Sequence, residues 1–166
     1  MMFDRVTWRL LSLVQSNNRR SLSDLARDTG SSRSVVQRRL NALRRIGAIR
    51  RDVALLDRRL VGRLETFIVR FELRWEHRQS FDRFRTMVCE LPEVQQCYIT
   101  TGRLNCIALV LLPGADALDA FVARHFADNP LVRSYRTSLV VRELKVSLEV
   151  PVHRPNQGEG GPSHQG

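Results

Sequence analysis

Residues 21–47 read SLSDLARDTGSSRSVVQRRLNALRRIG, and this stretch decides the architecture of the N-terminal third. Ser21 followed by Asp24 resembles a capping box with Asp in the usual Glu position. Leu22, Leu25 and Ala26 then make a short apolar face, and Gly30 suits the position just past a helix end. Ser31 or Ser32 can cap a second helix. In it Val36, Leu40 and Leu43 recur at i, i+4 and i+7, which is one buried stripe, and Gly47 ends it. Two short helices joined by a tight glycine-containing turn, the second rich in arginine, predict a helix-turn-helix. Upstream, FDRVTWRLLSLVQ (3–15) places Phe3, Val6, Leu10 and Val14 at helical spacing, with Leu11 and Leu13 beside them. Downstream, AIRRDVALLD (48–57) alternates briefly, which predicts a small wing or the strand that leaves the domain.

The residues off the buried stripe carry the functional expectation. A recognition helix enters the major groove with its N-terminal residues toward the base edges. That order puts Arg33, Ser34, Gln37 and Arg38 nearest the bases. Arginine suits guanine O6/N7 and glutamine suits adenine. Ser32 and the helix N-terminus suit a phosphate. Arg44, Arg45, Arg50 and Arg51 fall where they meet the DNA backbone, adding affinity without sequence information. Arg39 borders the stripe and is expected to pack against the first helix or to pair with an acid. The competing reading of such a face is plain solvation. Charge distribution weighs against it. The chain carries a formal net charge of +10, and residues 1–60 hold 14 Arg against 5 Asp. Residues 61–152 hold 12 basic and 11 acidic residues, so the excess is confined to one module. An imbalance so placed points to an anionic partner there, double-stranded DNA first among them.

Composition narrows the other classes. The 166 residues are 43% hydrophobic, enough to pack a core. No run approaches the roughly 18 apolar residues of a membrane helix, and MMFDRVTWRLL (1–11) lacks a cleavage site of small residues. The expectation is a soluble, cytoplasmic protein without membrane contact. Cys89, Cys97 and Cys106 lack C-x-x-C spacing, so neither a disulfide framework nor a metal site is expected. His77 and His125 lie apart from any nucleophile, and no phosphate loop is present. No catalytic residue and no cofactor are expected.

The remaining chain alternates between strand and helix patterns. LETFIVRFEL (64–73) puts Phe67, Val69, Phe71 and Leu73 on one face and Arg70 and Glu72 on the other, a strand with one wet face. HRQSFDRFRTMVCELPEV (77–94) reads as a helix with Phe81, Phe84, Val88 and Leu91 inward and Pro92 past its end. VQQCYITT (94–101) is a strand, GR a turn, and LNCIALVLL (104–112) a nearly all-apolar central strand. GADALDAFVARHF (114–126) is a second helix with Leu118, Phe121, Val122 and Phe126 inward. VRSYRTSLVV (132–141) is a fourth strand, and LKVSLEVP (144–151) alternates once more. The order β-α-β-β-α-β is the ferredoxin-like arrangement, so the fold class is α+β. Two helices cover one face of such a sheet. The other face still carries apolar side chains, which predicts a homodimer built across it.

The order and spacing of several motifs resemble the Lrp/AsnC ("feast/famine") transcriptional regulators over about residues 3–150. RRSLSDLARDTGSSRSVVQRRLNALRRIGAI resembles the family's helix-turn-helix, LDRRLVG its hinge, LPEVQQCYITTG the strand entry running to a threonine-glycine turn, and YRTSLVVRELK its closing strand. The resemblance implies a winged helix-turn-helix DNA-binding domain (1–50), a hinge or linker strand (51–63) and a regulatory and oligomerisation domain (64–152), while the tail 153–166, rich in Gly, Pro and Gln, is expected to be disordered from its composition. It also implies dimers that assemble further, into octamers, and an effector between dimers near the threonine-glycine turn. That places Thr101, Gly102, Arg103, Asn105 and Thr137 as effector residues. The family commonly has aspartates one and three positions after the glycine, where this chain has Arg103 and Asn105. A carboxylate is the natural acceptor for an α-ammonium group, so amino-acid sensing loses its acceptor and an anion gains a partner. Gly102 by itself reads as a turn residue needing positive φ. Two other functions share this architecture. One is an architectural DNA-binding protein without effector. The other is a siroheme-decarboxylase-like enzyme, which would need histidine or an acid at a deep pocket.

Overall fold

The computed structural model describes residues 3–74 and 78–152 and divides the chain into two compact units, 3–54 with 146–152, and 55–145. His77, His153, His164 and the tail 153–166 lie outside the described residues.

The first unit is three helices, α1 (Arg5–Ser16), α2 (Leu22–Thr29) and α3 (Arg33–Arg45). Each start is fixed by a side-chain oxygen accepting from an otherwise orphaned backbone N–H. Asp4 accepts from Thr7 at 2.9 Å, Ser21 from Asp24 at 3.1 Å, and Ser32 from Val35 at 3.3 Å. Ser32, not Ser31, therefore caps α3. Gly30 closes α2 in the left-handed region at φ 63°. The next residue's N–H reaches back to Ala26 O at 2.9 Å, which satisfies the last carbonyls and turns the chain sharply. Leu10, Leu13, Leu25, Ala26, Val36 and Leu40 form the core, with Ile49 packed at its edge.

The expected wing is not formed by the described residues. Residues 50–57 belong to no strand, and Val53, Leu55 and Leu56 are exposed. Alternation makes a strand only where a neighbouring edge supplies the ladder, and 50–57 has none. The alternating run at 144–151, expected as a further strand, forms none for the same reason, and Leu144, Val146, Leu148 and Val150 are exposed. Its end is tied instead to α1, where Gln15 donates Nε2–H to Val150 O at 2.9 Å and accepts from Val150 N at 3.1 Å. Residues 146–152 thus belong with the helices rather than with the sheet.

The second unit opens with the short helix α4 (Arg58–Val61). It continues as β1 (Glu65–Leu73), α5 (Arg78–Glu90), β2 (Val94–Ile99), β3 (Cys106–Leu112), α6 (Ala115–Val122) and β4 (Val132–Leu139). The strands lie in the order β2-β3-β1-β4, all antiparallel, which is the ferredoxin-like sheet. Phe67, Val69, Phe71, Cys106, Ala108 and Val110 pack one face against Phe84 and Val88 of α5 and Leu118 and Phe121 of α6. Phe71 and Phe126 pack with tilted rings, their centroids 4.7 Å apart. Phe126 sits on a π-helical turn (Ala123–Ala127) that closes α6. The opposite face carries Ile68, Ile107, Leu109 and Leu111, all half-buried. It is less wet than expected on β1, where Thr66 and Glu72 are buried.

Candidate functional site

The surface of α3 follows directly from its buried stripe. With Val36, Leu40 and Leu43 inward, the 3.6-residue period turns Ser34, Gln37, Arg38, Asn41 and Arg45 to one outer side. These residues line a shallow open concavity of about 560 Å³. Arg33, Ser34, Arg38 and Arg45 are exposed and Gln37 is half-buried. Gln37 Nε2 donates to Asn41 Oδ1 at 2.9 Å, which holds the amide pair flat along the helix. Ser32 Oγ lies 3.0 Å from Ser34 Oγ at the helix start. Among the described residues Arg33, Arg38, Arg45, Arg50 and Arg51 have no hydrogen-bonded or ion-paired side-chain partner. A guanidinium left unpaired has its donors free for phosphate oxygens or base edges.

Two arginines are held back from this surface. Arg39 Nη1 donates to Asp4 Oδ1 at 2.6 Å and to Thr7 Oγ1 at 2.6 Å, the structural role expected of it. Arg44, expected at the DNA backbone, has its Nε on Asp52 Oδ2 at 3.0 Å. Both partners of that pair remain well exposed. Arg50 and Arg51 lie past the end of α3 in the extended segment.

In the α/β unit, the turn between β2 and β3 is closed by Thr100 N donating to Asn105 O at 2.8 Å. Gly102 adopts φ 95°, a backbone that a side chain would strain. The structure brings only some of the expected effector residues together. Asn105 is buried, and its amide is spent on the backbone of Leu73, accepting from N at 2.8 Å and donating to O at 2.9 Å. Thr137 pairs with Val69 of β1. It therefore lies on the helix side of the sheet, away from the face reached by the turn. Thr101 is exposed.

Arg103 finds a partner that sequence reasoning missed. Its Nε donates to Glu72 Oε2 at 3.1 Å, while Arg133 Nη1 lies 3.3 Å from Glu72 Oε1 and Ser134 Oγ donates to Oε2 at 3.0 Å. Arg103 foremost, with Ser134 and Arg133, holds the Glu72 carboxyl below the usual range. In the sequence Glu72 shows only as part of the polar side of β1. The signal that it was a hub lay in its pairing with Ser134 across β4, which the sequence does not print.

A trihelical helix-turn-helix with a basic outer helix, followed by a four-stranded ferredoxin-like domain, defines the class as a DNA-binding regulator. The sequence comparisons agree. Residues 3–44 match the AsnC-type helix-turn-helix domain and residues 66–150 the Lrp/AsnC ligand binding domain. The chain belongs to the Lrp/AsnC family of transcriptional regulators. It is 34% identical over 152 residues to an HTH-type transcriptional regulator of Sinorhizobium fredii, covering 92% of this chain and 90% of that one. The leucine-responsive regulatory protein of Escherichia coli is 26% identical over 144 residues, covering 87% and 88%. Among solved structures, an AsnC family regulator from Agrobacterium tumefaciens superposes with a TM-score of 0.84 at 29% identity, covering 90% of this chain and 97% of that one. A Neisseria meningitidis regulator in complex with L-Met shares the fold, with a TM-score of 0.85 at 24% identity and 91% and 97% coverage.

Proposed function

We propose that the chain regulates transcription by reading specific DNA sites through α3, with Arg33, Ser34, Gln37 and Arg38 toward base edges. Ser32, Arg45, Arg50 and Arg51 hold phosphates, and Arg44 joins them once released from Asp52. The observation that carries this reading is the set of unpaired arginines around the Gln37–Asn41 amide pair on the exposed side of α3. Arginine donors in a rigid fork are suited to guanine and phosphate, and a held glutamine to adenine. The protein acts as a cytoplasmic homodimer joined across the open face of the sheet. The half-buried Ile68, Ile107, Leu109 and Leu111 there support this, since an apolar face of that kind is commonly covered by a second copy. Two copies read two half-sites about one helical turn, or a multiple, apart. Further assembly into octamers is the corresponding higher state, and the reading requires no catalysis.

The test is a footprint of the chain's own upstream region beside random DNA at matched salt, with size measured by light scattering. A discrete protected region absent from random DNA supports sequence-specific regulation. Uniform coverage of both favours an architectural protein instead, and a monomer at working concentration removes the half-site geometry.

The β2–β3 turn supports a second element of the proposal, that its effector is anionic. Arg103 stands at one of the two positions where the family commonly has an aspartate, and it converges with Arg133 on Glu72. A ligand carboxylate competes with Glu72 for these guanidinium groups. A neutral amino acid such as the L-Met bound by the Neisseria protein finds no free acceptor in them. Thermal-shift screening of dicarboxylates, phosphates and neutral amino acids separates the outcomes. Stabilisation by anions alone supports the reading, and no shift across the panel indicates an effector-independent regulator.

A further inference from the structure

The sequence spaces its three cysteines with no pattern, yet the fold brings two of them into contact. Cys97 on β2 and Cys106 on β3 have their sulfurs 3.5 Å apart. The register pairs Cys97 with Ala108 and Ile99 with Cys106, so the two cysteines are diagonal neighbours on the helix side of the sheet. Cys106 is fully buried and Cys97 half-buried, while Cys89 stands alone and exposed on α5. Cys97 thus lies at the edge of the core and Cys106 is sealed within it.

We propose that Cys97 and Cys106 form a reversible disulfide when the protein meets hydrogen peroxide, which makes the β2–β3 hairpin a site of redox modification. The Cys97 thiolate attacks the peroxide O–O bond. Its sulfur is oxidised to the sulfenic acid, and hydroxide leaves with the electron pair. Cys106 sulfur then attacks Cys97 sulfur. The S–O bond breaks, the S–S bond forms, and the departing hydroxide takes the Cys106 proton as water. In total two thiols and one peroxide give one disulfide and two waters.

The pair is suited to this order. The contact with Cys106 lowers the Cys97 thiol, and the same contact with burial raises Cys106. Cys97 is therefore the thiol that ionises and reacts, and Cys106 the one that waits to resolve it. Closing the bond takes the sulfurs from 3.5 Å to about 2.05 Å. Diagonal strand neighbours sit roughly 7–8 Å apart at Cα, beyond the usual disulfide span of about 4.4–6.8 Å. Closing the bond therefore draws the two strands together. It closes directly below the Thr100–Asn105 turn, so oxidation stiffens the segment that carries Arg103.

The test uses the reduced full-length chain. It is exposed to a molar excess of hydrogen peroxide, then denatured in N-ethylmaleimide, and its intact mass is compared with an untreated sample. The expected result is one adduct, on Cys89, in place of three, with the Cys97–Cys106 peptide recovered and three adducts restored by dithiothreitol. Cys97→Ser should retain both remaining adducts. Cys106→Ala should leave a sulfenic acid on Cys97 that dimedone traps. Three persisting adducts would overturn the proposal, as would a chain-to-chain disulfide through Cys89 or a sulfinic acid on Cys97 beside a free Cys106. Cys97→Ser carries the test alone if Cys106→Ala does not fold.

Discussion

Arg39 on α3 and Asp4 at the start of α1 are joined at 2.6 Å, across 35 residues of chain. Asp4 is at once the cap of α1 and the acceptor that withdraws one arginine from the basic face. The pairing with Arg39 and the two bonds from Thr7 hold the Asp4 carboxyl far below the usual carboxylate range.

Asp4→Ala removes both roles and should cost about 1–2 kcal/mol, mostly as the lost cap. Arg39→Ala should cost about 0.2–1 kcal/mol, because the pair is open to solvent and screened. Because Asp4 is depressed in the folded state, its contribution is present above its unfolded value and lost as pH falls through the folded one. Urea unfolding at pH 7 measures both variants. DNA affinity and its salt slope should be unchanged in Arg39→Ala. A slope shallower by one phosphate would place Arg39 on the DNA and sink the structural assignment.

Arg38 and Arg45 share the outer side of α3 but should behave differently. Arg38→Ala should cost about 1–3 kcal/mol on the specific site and relax one base position. Arg45→Ala should weaken all sequences alike and reduce the slope of log affinity against log salt by about 0.9. Fluorescence anisotropy on specific and random duplexes at several salt concentrations reads both. Equal loss on both duplexes for Arg38→Ala would reduce it to a phosphate contact.

Asp52 competes with phosphate for Arg44, whose Nε it holds at 3.0 Å. Asp52→Asn should therefore tighten DNA binding and steepen the salt slope by up to about 0.9, one more phosphate neutralised. The same anisotropy titration measures it. Unchanged affinity and slope would mean that Arg44 never reaches the DNA.

The helices and strands were legible because each carries its own period and punctuation. Val36, Leu40 and Leu43 follow one helical stripe, Ser32 and Gly30 mark ends, and Phe67, Val69 and Phe71 alternate. What depends on a partner edge was not legible. The runs at 48–57 and 144–151 have strand-like alternation, but no strand lies beside them. Site chemistry was legible where it lies within one helix, as at Gln37 and Asn41, four residues apart. It was hidden where tertiary pairing makes it. Glu72 meets Arg103 and Arg133 across separate elements, Asn105 is turned inward by Leu73, and Cys97 meets Cys106 only through strand register.

The buried Asn105 amide closes the end of β1, satisfying both backbone groups of Leu73. Asn105→Ala leaves those groups without that partner and should cost about 2 kcal/mol or more. Chemical unfolding measures it. A change in ligand-induced thermal shift without loss of stability would instead restore Asn105 to the effector site.

Glu72 ties stability of the α/β unit to pH. Its carboxyl is depressed by Arg103 first, then Ser134 and Arg133. A depressed acid stabilises the fold above its unfolded value, about 4.3, and that stability is lost as pH falls through the lower folded value. Glu72→Gln keeps the shape but not the charge, so it should melt below the parent chain at pH 7. The gap should shrink as pH drops below about 4.3 and close once Glu72 is protonated in the folded state. Differential scanning calorimetry from pH 7 to pH 3 measures this. A gap that stays constant across the range would show that Glu72 acts by packing and hydrogen bonding alone, with no net contribution from its two arginines.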